Sequence, residues 1–169
     1  FRLMPERLLG EGHYCAVLRK QEKAACKDSL PIEPAANMPK ELEQFCRQTG
    51  AEFPEGKLIL FGATVYLAPQ ELPSLKGLRV LRAGLELGEL LKNRLEPAHA
   101  WALWMKNLPS TVSFGEDSAE IRRYLAGDVL PGSLRGWTLV TVDGLSLGFA
   151  KGDGQMLKNH YPKALRRSV

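Results

Sequence analysis

The chain is poor in the residues from which small reactive sites are built, with three cysteines and three histidines in 169 residues. Cys15, Cys26 and Cys46 are odd in number and widely spaced, which supports neither a disulfide framework nor a zinc site. A reducing compartment, the cytoplasm, is the expectation. His13, His99 and His160 lie far apart, so no metal site is expected either. No Gly-rich phosphate loop follows a strand, and no Gly-x-Ser-x-Gly elbow occurs. The apolar runs are short and broken by charge, far below the roughly 20 residues of a membrane span, so no membrane partner is expected. Secretory and lipidation signals, low-complexity blocks and internal repeats are missing as well. Phe1 stands where an initiating Met would, and a chain that continues upstream is the expectation.

What is present is ordinary for a folded protein. With 44% apolar and 25% charged residues the chain has the composition of a globular domain that buries a core. Its length allows one domain or two small ones and leaves no room for a large enzyme with its own cofactor fold. The net charge of +4 is unevenly placed. From Lys151 onward five cations (Lys151, Lys158, Lys163, Arg166, Arg167) face a single acid, Asp153, whereas the residues before Lys151 balance. Such a patch concentrates polyanions and makes nucleic acid a natural partner; a merely solvated terminus is the other reading.

Residues 10–20 read as a turn feeding an apolar strand. Pro31, Pro34 and Pro39 then oppose helix and central strand, marking 21–40 as an exposed linker. Leu42, Phe45 and Cys46 lie at helical spacing up to Gly50. Residues 57–67 read as two short strands, or as one with a bulge at Gly62. Leu78–Leu81 is a further strand, and Leu85–Leu91 is a strand or a helix. Pro97 opens a helix that puts Trp101 and Trp104 on one face and His99 in a hydrogen-bonded packing role. Asp117 and Glu120 have capping-box spacing ahead of an Ile121, Tyr124, Leu125 stripe that ends at Gly127. Trp137–Val142 alternates toward Asp143-Gly144, the strongest hairpin signal of the chain. Gly152-Asp153-Gly154 turns it again toward Met156 and Leu157. The late strands are expected to continue the sheet of 57–91. The fold class is α+β: a small, mainly antiparallel sheet or pseudo-barrel with short helices.

The segment from Lys158 to Lys163 (KNHYPK) joins two cations, an amide, an imidazole and a phenol just after a strand. Lys meets phosphate, Asn bonds base or ribose edges, and His or Tyr stacks on an unpaired base. Equally, Asn159 caps a turn and Tyr161-Pro162 packs the strand's end. Neither Cys15, Cys46 nor Cys26 has the local field that a thiolate nucleophile needs.

The stretch from Gly136 to Lys151 (GWTLVTVDGLSLGFAK), followed by Gly154 to Arg166 (GQMLKNHYPKALR), resembles the PUA-like RNA-binding domain that ends RsmF-type ribosomal RNA cytosine-5 methyltransferases, of the nucleolar-protein/Sun family. Upstream, Leu78–Glu89 (LRVLRAGLELGE) and Arg94–Ala100 (RLEPAHA) are similar to the domain between catalysis and PUA. Gly10–Leu18 (GEGHYCAVL) is similar to the last strand of the methyltransferase domain. The resemblance implies four parts: 1–20, the terminal methyltransferase strand; 21–40, a linker; 41–110, an intermediate domain; and 111–169, the PUA-like domain. The family's two cysteines sit in Thr-Cys and Pro-Cys contexts, whereas here Cys15 follows Tyr14, Cys26 follows Ala25 and Cys46 follows Phe45. Ala164 stands where the family often has Gly, and Leu95 where it often has Phe.

The chain is therefore expected to bind no S-adenosylmethionine by itself, although the full-length enzyme would, and to lack catalytic residues of its own. Its partners would be ribosomal RNA or a precursor and the enzyme's own methyltransferase domain. Lys151, Lys158, Lys163, Arg166 and Arg167 would hold phosphates; Asn159, His160 and Tyr161 would touch an unpaired element; Arg122 and Arg123 would extend the track. The alternative is a structural module that braces the methyltransferase domain without reading RNA.

Overall fold

The computed structural model describes residues 2–3, 13–14 and 31–167, in two units, Phe1–Leu30 and Pro31–Val169. In the first, β1 (Arg2–Leu3) pairs antiparallel with β2 (His13–Tyr14), Arg2 opposite Tyr14 and Leu3 opposite His13. The rest of the strand expected over 10–20, with Cys15 and Cys26, lies outside the described residues.

In the second unit, the described part of the expected linker is tied down. The Glu33 and Ala36 amides donate to the Leu72 and Leu58 carbonyls, and Lys57 Nζ donates to the carbonyls of Glu33 and Leu72 at 2.6 and 3.2 Å. Prolines remove donors, but the amides between them are free to bond. Helix α1 (Lys40–Thr49) carries Glu41 and Glu43 in its first turn and Arg47 in its last, matching the helix dipole. Gly50, at φ 70°, closes it by donating to the Cys46 carbonyl.

Residues 57–67 resolve into two strands, β3 (Lys57–Phe61) and β4 (Thr64–Ala68), paired antiparallel around Gly62. β5 (Leu85–Leu91) is a strand, paired to β4 and to β6 (Arg94–Pro97), in the order β3-β4-β5-β6. The strand expected over Leu78–Leu81 is loop instead, and Leu78 and Leu81 stand 65% and 83% exposed. Pro97 ends β6, and α2 (His99–Trp104) starts two residues later. The two tryptophans separate: Trp101 is fully buried, with its indole N–H on the Glu52 carbonyl, whereas Trp104 is 43% exposed. A helix this short has one face on the core, and its last residue leaves that face.

β7 (Thr111–Phe114) precedes α3 (Ala119–Ala126), which Gly127 ends as expected. The N-cap is Ser118, whose hydroxyl accepts the Ile121 N–H at 3.2 Å, rather than Asp117. β8 (Leu130–Pro131), β9 (Arg135–Val142), β10 (Leu145–Asp153) and β11 (Met156–Asn159) complete a sheet ordered β7-β9-β10-β11-β8, with β7 parallel to β9. Asp143 and Gly144, both at positive φ, make the hairpin turn. A 3-10 turn, Lys163–Leu165, follows.

Among the described residues the second unit thus builds two sheets, not the single continued sheet of expectation. A common core joins them. Leu139 and Phe149 pack with Leu42, Phe45, Leu87 and Trp101, while Val140, Ala150 and Leu157 face the opposite side with Ile121, Tyr124 and Leu130. Period-2 alternation sends neighbouring residues of β9 and β10 into different cores, each large apolar side chain contributing about 2 kcal/mol on burial. The α+β class, with short helices and mainly antiparallel sheets, agrees with the sequence reading.

Candidate nucleic-acid interface

Lys151 on β10 sits opposite Trp137 on β9 and opposite Lys158 on β11. Its ammonium lies 5.3 Å from the Trp137 ring centroid, within cation–π range. Both lysines are exposed. They share the sheet face of Leu139 and Phe149, beyond the point where that face is covered. Like charges opposite each other on adjacent strands oppose sheet pairing, so the pair creates local potential at a cost in stability.

His160 follows at the end of β11. Its Nδ1 lies 3.1 Å from Glu96 Oε1 of β6, and its ring meets Trp137 edge-on at 4.5 Å. Burial pushes its pKa below the usual imidazole range; Glu96 opposes the shift, and Lys158 and Lys151 add to it. His160 is thus an anchor between the two sheets, only 23% exposed.

Other residues of the expected contact set serve the fold. Asn159 is 9% exposed. Its amide donates to the Tyr124 and Asp128 carbonyls at 2.8 and 3.0 Å, and its oxygen accepts the Tyr161 N–H at 2.7 Å. That leaves the side chain no face for a base, and the turn-capping alternative is what the structure adopts. Tyr161 packs against Tyr124 and edge-on against His99, at 5.5 and 5.3 Å. His99 keeps its packing role without the expected hydrogen bond at Nδ1. Arg166 folds back onto the Tyr161 carbonyl through Nε and Nη2, at 3.3 and 3.2 Å.

The cations do not form one track. Arg122 and Arg123 are exposed on α3, where their guanidiniums donate to the Asp117 and Val129 carbonyls. α3 packs on the Val140 and Ala150 side of the sheet, so the sheet separates these arginines from Lys151 and Lys158. Arg167 is exposed near α3, its amide on the Leu125 carbonyl, and Lys163 is exposed in the 3-10 turn.

Residues that local reading passed over, Arg94, Glu96 and Arg135, gather beside Lys151. Arg94, Arg135 and Lys151 line a cleft of about 280 Å³ together with Trp137 and α1. No sequence signal brings them together, because they come from the start of β6, the start of β9 and the far end of β10. The cleft does not suit S-adenosylmethionine, a sulfonium cation, which three cations would repel. Among the described residues no three His, Cys, Asp or Glu side chains gather as metal ligands would. Burial pushes the Cys46 thiol up, away from thiolate chemistry. Among the described residues no helix is long and apolar enough to cross a membrane.

Two family models match the chain: the RsmF rRNA methyltransferase first C-terminal domain over residues 44–105, and the methyltransferase RsmF PUA domain over 111–167. The chain belongs to the RsmF rRNA methyltransferase family. Its relatives include the ribosomal RNA small subunit methyltransferase F of Aeromonas hydrophila, 31% identical over 96% of this chain and 37% of that protein. The enzyme of the same name from Aeromonas salmonicida is 30% identical over the same shares. That from Shewanella piezotolerans is 31% identical over 66% of this chain and 24% of its own length. The chain therefore spans little more than a third of the Aeromonas RsmF proteins. What it shares with the RsmF models is their C-terminal part, and the Lys151–Lys158 pair falls within the PUA match.

Proposed function

We propose that this chain is the RNA-binding C-terminal region of an S-adenosylmethionine-dependent rRNA cytosine-5 methyltransferase, which positions the enzyme on ribosomal RNA or its precursor in the cytoplasm. In this reading residues 1–20 belong to the methyltransferase domain, 41–110 to an intermediate domain and 111–169 to the RNA-gripping domain. Methyl transfer and cofactor binding belong to the methyltransferase domain, the chain's partner in the full-length enzyme. The supporting observation is the cross-strand pair Lys151–Lys158 beside Trp137: two exposed cations and a ring on a rigid strand platform, in the part that matches the PUA model.

The contact set is Lys151, Lys158, Lys163 and Arg167, with Arg122 and Arg123 on a separate face and His160 at the rim. Phosphates neutralised by Lys release counterions, which makes affinity fall with salt by about 0.7 in slope per single-strand contact. Filter binding of ribosomal RNA fragments across a salt series tests this. Lys158→Ala/Lys163→Ala is expected to weaken binding and flatten the slope by about 1.4. Identical curves for the double variant and the parent exclude these contacts.

A second reading, a module that braces the methyltransferase domain, draws on exposed Leu78 and Leu81 beside Arg79 and Arg82. Co-purification with that domain, lost on Leu78→Ser/Leu81→Ser while RNA affinity is unchanged, would favour it.

A further inference from the structure

The cleft beside Lys151 is chemically uneven. One wall is α1, which presents Gln44 and Gln48 one turn apart and both exposed. The floor holds Trp137, half-buried, its ring tilted against Phe45 at 6.1 Å. Around the mouth stand Arg94 from the start of β6, Arg135 from the start of β9 and Lys151 from β10, with Glu41 the one carboxylate of the lining among the described residues.

Each arginine has one loosely placed carboxylate neighbour. Arg94 reaches Glu96 only at 4.0 Å and remains 64% exposed. Arg135 lies opposite Asp153 at the β9–β10 end, a carboxyl held below the usual range first by backbone amides and least by Arg135. That carboxyl is mainly engaged by the Gln155 and Met156 amides, both at 2.8 Å.

We infer that this cleft is a site for one unpaired nucleotide of the bound RNA, its phosphates held by Arg94, Arg135 and Lys151 and its base lodged between Trp137 and the amides of Gln44 and Gln48. The inference rests on the RNA reading above and narrows it. Size selects the ligand. About 280 Å³ is below the roughly 300–1,000 Å³ of drug-sized pockets, room for a single nucleotide and too narrow for a duplex. Chemistry selects it as well: guanidiniums fork onto phosphate oxygens, Gln amides offer a donor and an acceptor to a base edge, and an indole meets any base. An acidic peptide would satisfy the cations and leave the amides and ring unused. The site takes α1, the start of β6 and β9–β10 together, so it exists only where residues 44–105 and 111–167 fold as neighbours.

The test uses the full chain with two fluorescent probes, a single-stranded RNA pentanucleotide and an RNA duplex, and with oligoglutamate as unlabelled competitor. Arg94→Ala/Arg135→Ala is expected to weaken the pentanucleotide about tenfold, as for loss of roughly 1.4 kcal/mol, and the duplex less than twofold. Gln44→Ala/Gln48→Ala, on a different element and at exposed positions, is expected to weaken the pentanucleotide alone, and it decides the question if the arginine variant does not fold. Unchanged pentanucleotide affinity in a folded variant overturns the cleft while leaving the RNA reading intact, because Lys158→Ala/Lys163→Ala reports on that reading separately. Oligoglutamate competing as well as RNA also overturns it. A parent chain that binds neither RNA overturns both.

Discussion

His160 meets Glu96 across the two sheets, Nδ1 3.1 Å from Oε1, so the end of one sheet is pinned to the last strand of the other. With the proton on Nδ1 the imidazole donates to the carboxylate, and Nε2 is left buried without a partner.

Burial of two imidazoles makes stability depend on pH, and the Glu96 contact moderates the effect at His160. His160 and His99 are both held below the ordinary imidazole value, chiefly by burial. The unfolded chain therefore binds more protons than the folded one beneath about pH 6.5. Their contribution is complete above that value and is lost as pH falls through the depressed folded pKa values. Thermal melts are expected to show lower midpoints on acidification, with a flatter acid limb in His160→Gln. NMR titration of Glu96→Gln is expected to place the His160 pKa lower still, since Glu96 is the charge that raises it.

Asn159 is a structural residue by the same kind of accounting. Asn159→Ala removes the side-chain partner of the Asp128 carbonyl and the Tyr161 amide and one of the donors to the Tyr124 carbonyl, which keeps the Gly127 N–H, at an expected cost of about 2–4 kcal/mol. Chemical denaturation measures the loss. RNA affinity of the fraction that remains folded is expected to match the parent; a selective loss of affinity at unchanged stability would return Asn159 to the contact set.

Tyr124 and Gly148 form a second buried dependency. The Tyr124 hydroxyl donates to the Phe149 carbonyl at 2.7 Å, and a Cβ on Gly148 would stand 2.6 Å from the Tyr124 hydroxyl oxygen. Tyr124→Phe is expected to cost about 1–2 kcal/mol. Gly148→Ala is expected to cost more in the parent than in the Tyr124→Phe background, because removing the hydroxyl removes the clash. A double-mutant cycle with additive losses would contradict this geometry.

Features set by near neighbours were legible in the chain. The hairpin at Asp143-Gly144, the helix closed by Gly127 and the helix closed by Gly50 depend on contacts a few residues apart. Errors arose where two local signals competed. Ser118 and Asp117 are both good caps, and the geometry of the approaching chain chose Ser118. Pro97 suits a helix start or a strand end, and pairing with Gly88 on β5 decided for the strand.

The contact set divides along the same line. That a cationic, ring-bearing segment ends the chain is a property of order and composition, and the sequence determined it alone. Whether each group faces outward was decided by strand parity: Lys151 and Lys158 fall on one face, while Asn159 falls on the other and is consumed by the fold. The meeting of Arg94, Arg135 and Gln44 belongs to the tertiary structure alone. Residues dozens of positions apart in sequence become neighbours through a shared hydrophobic core, and burial rewards apolar area without recording which charged residues it carries to the rim.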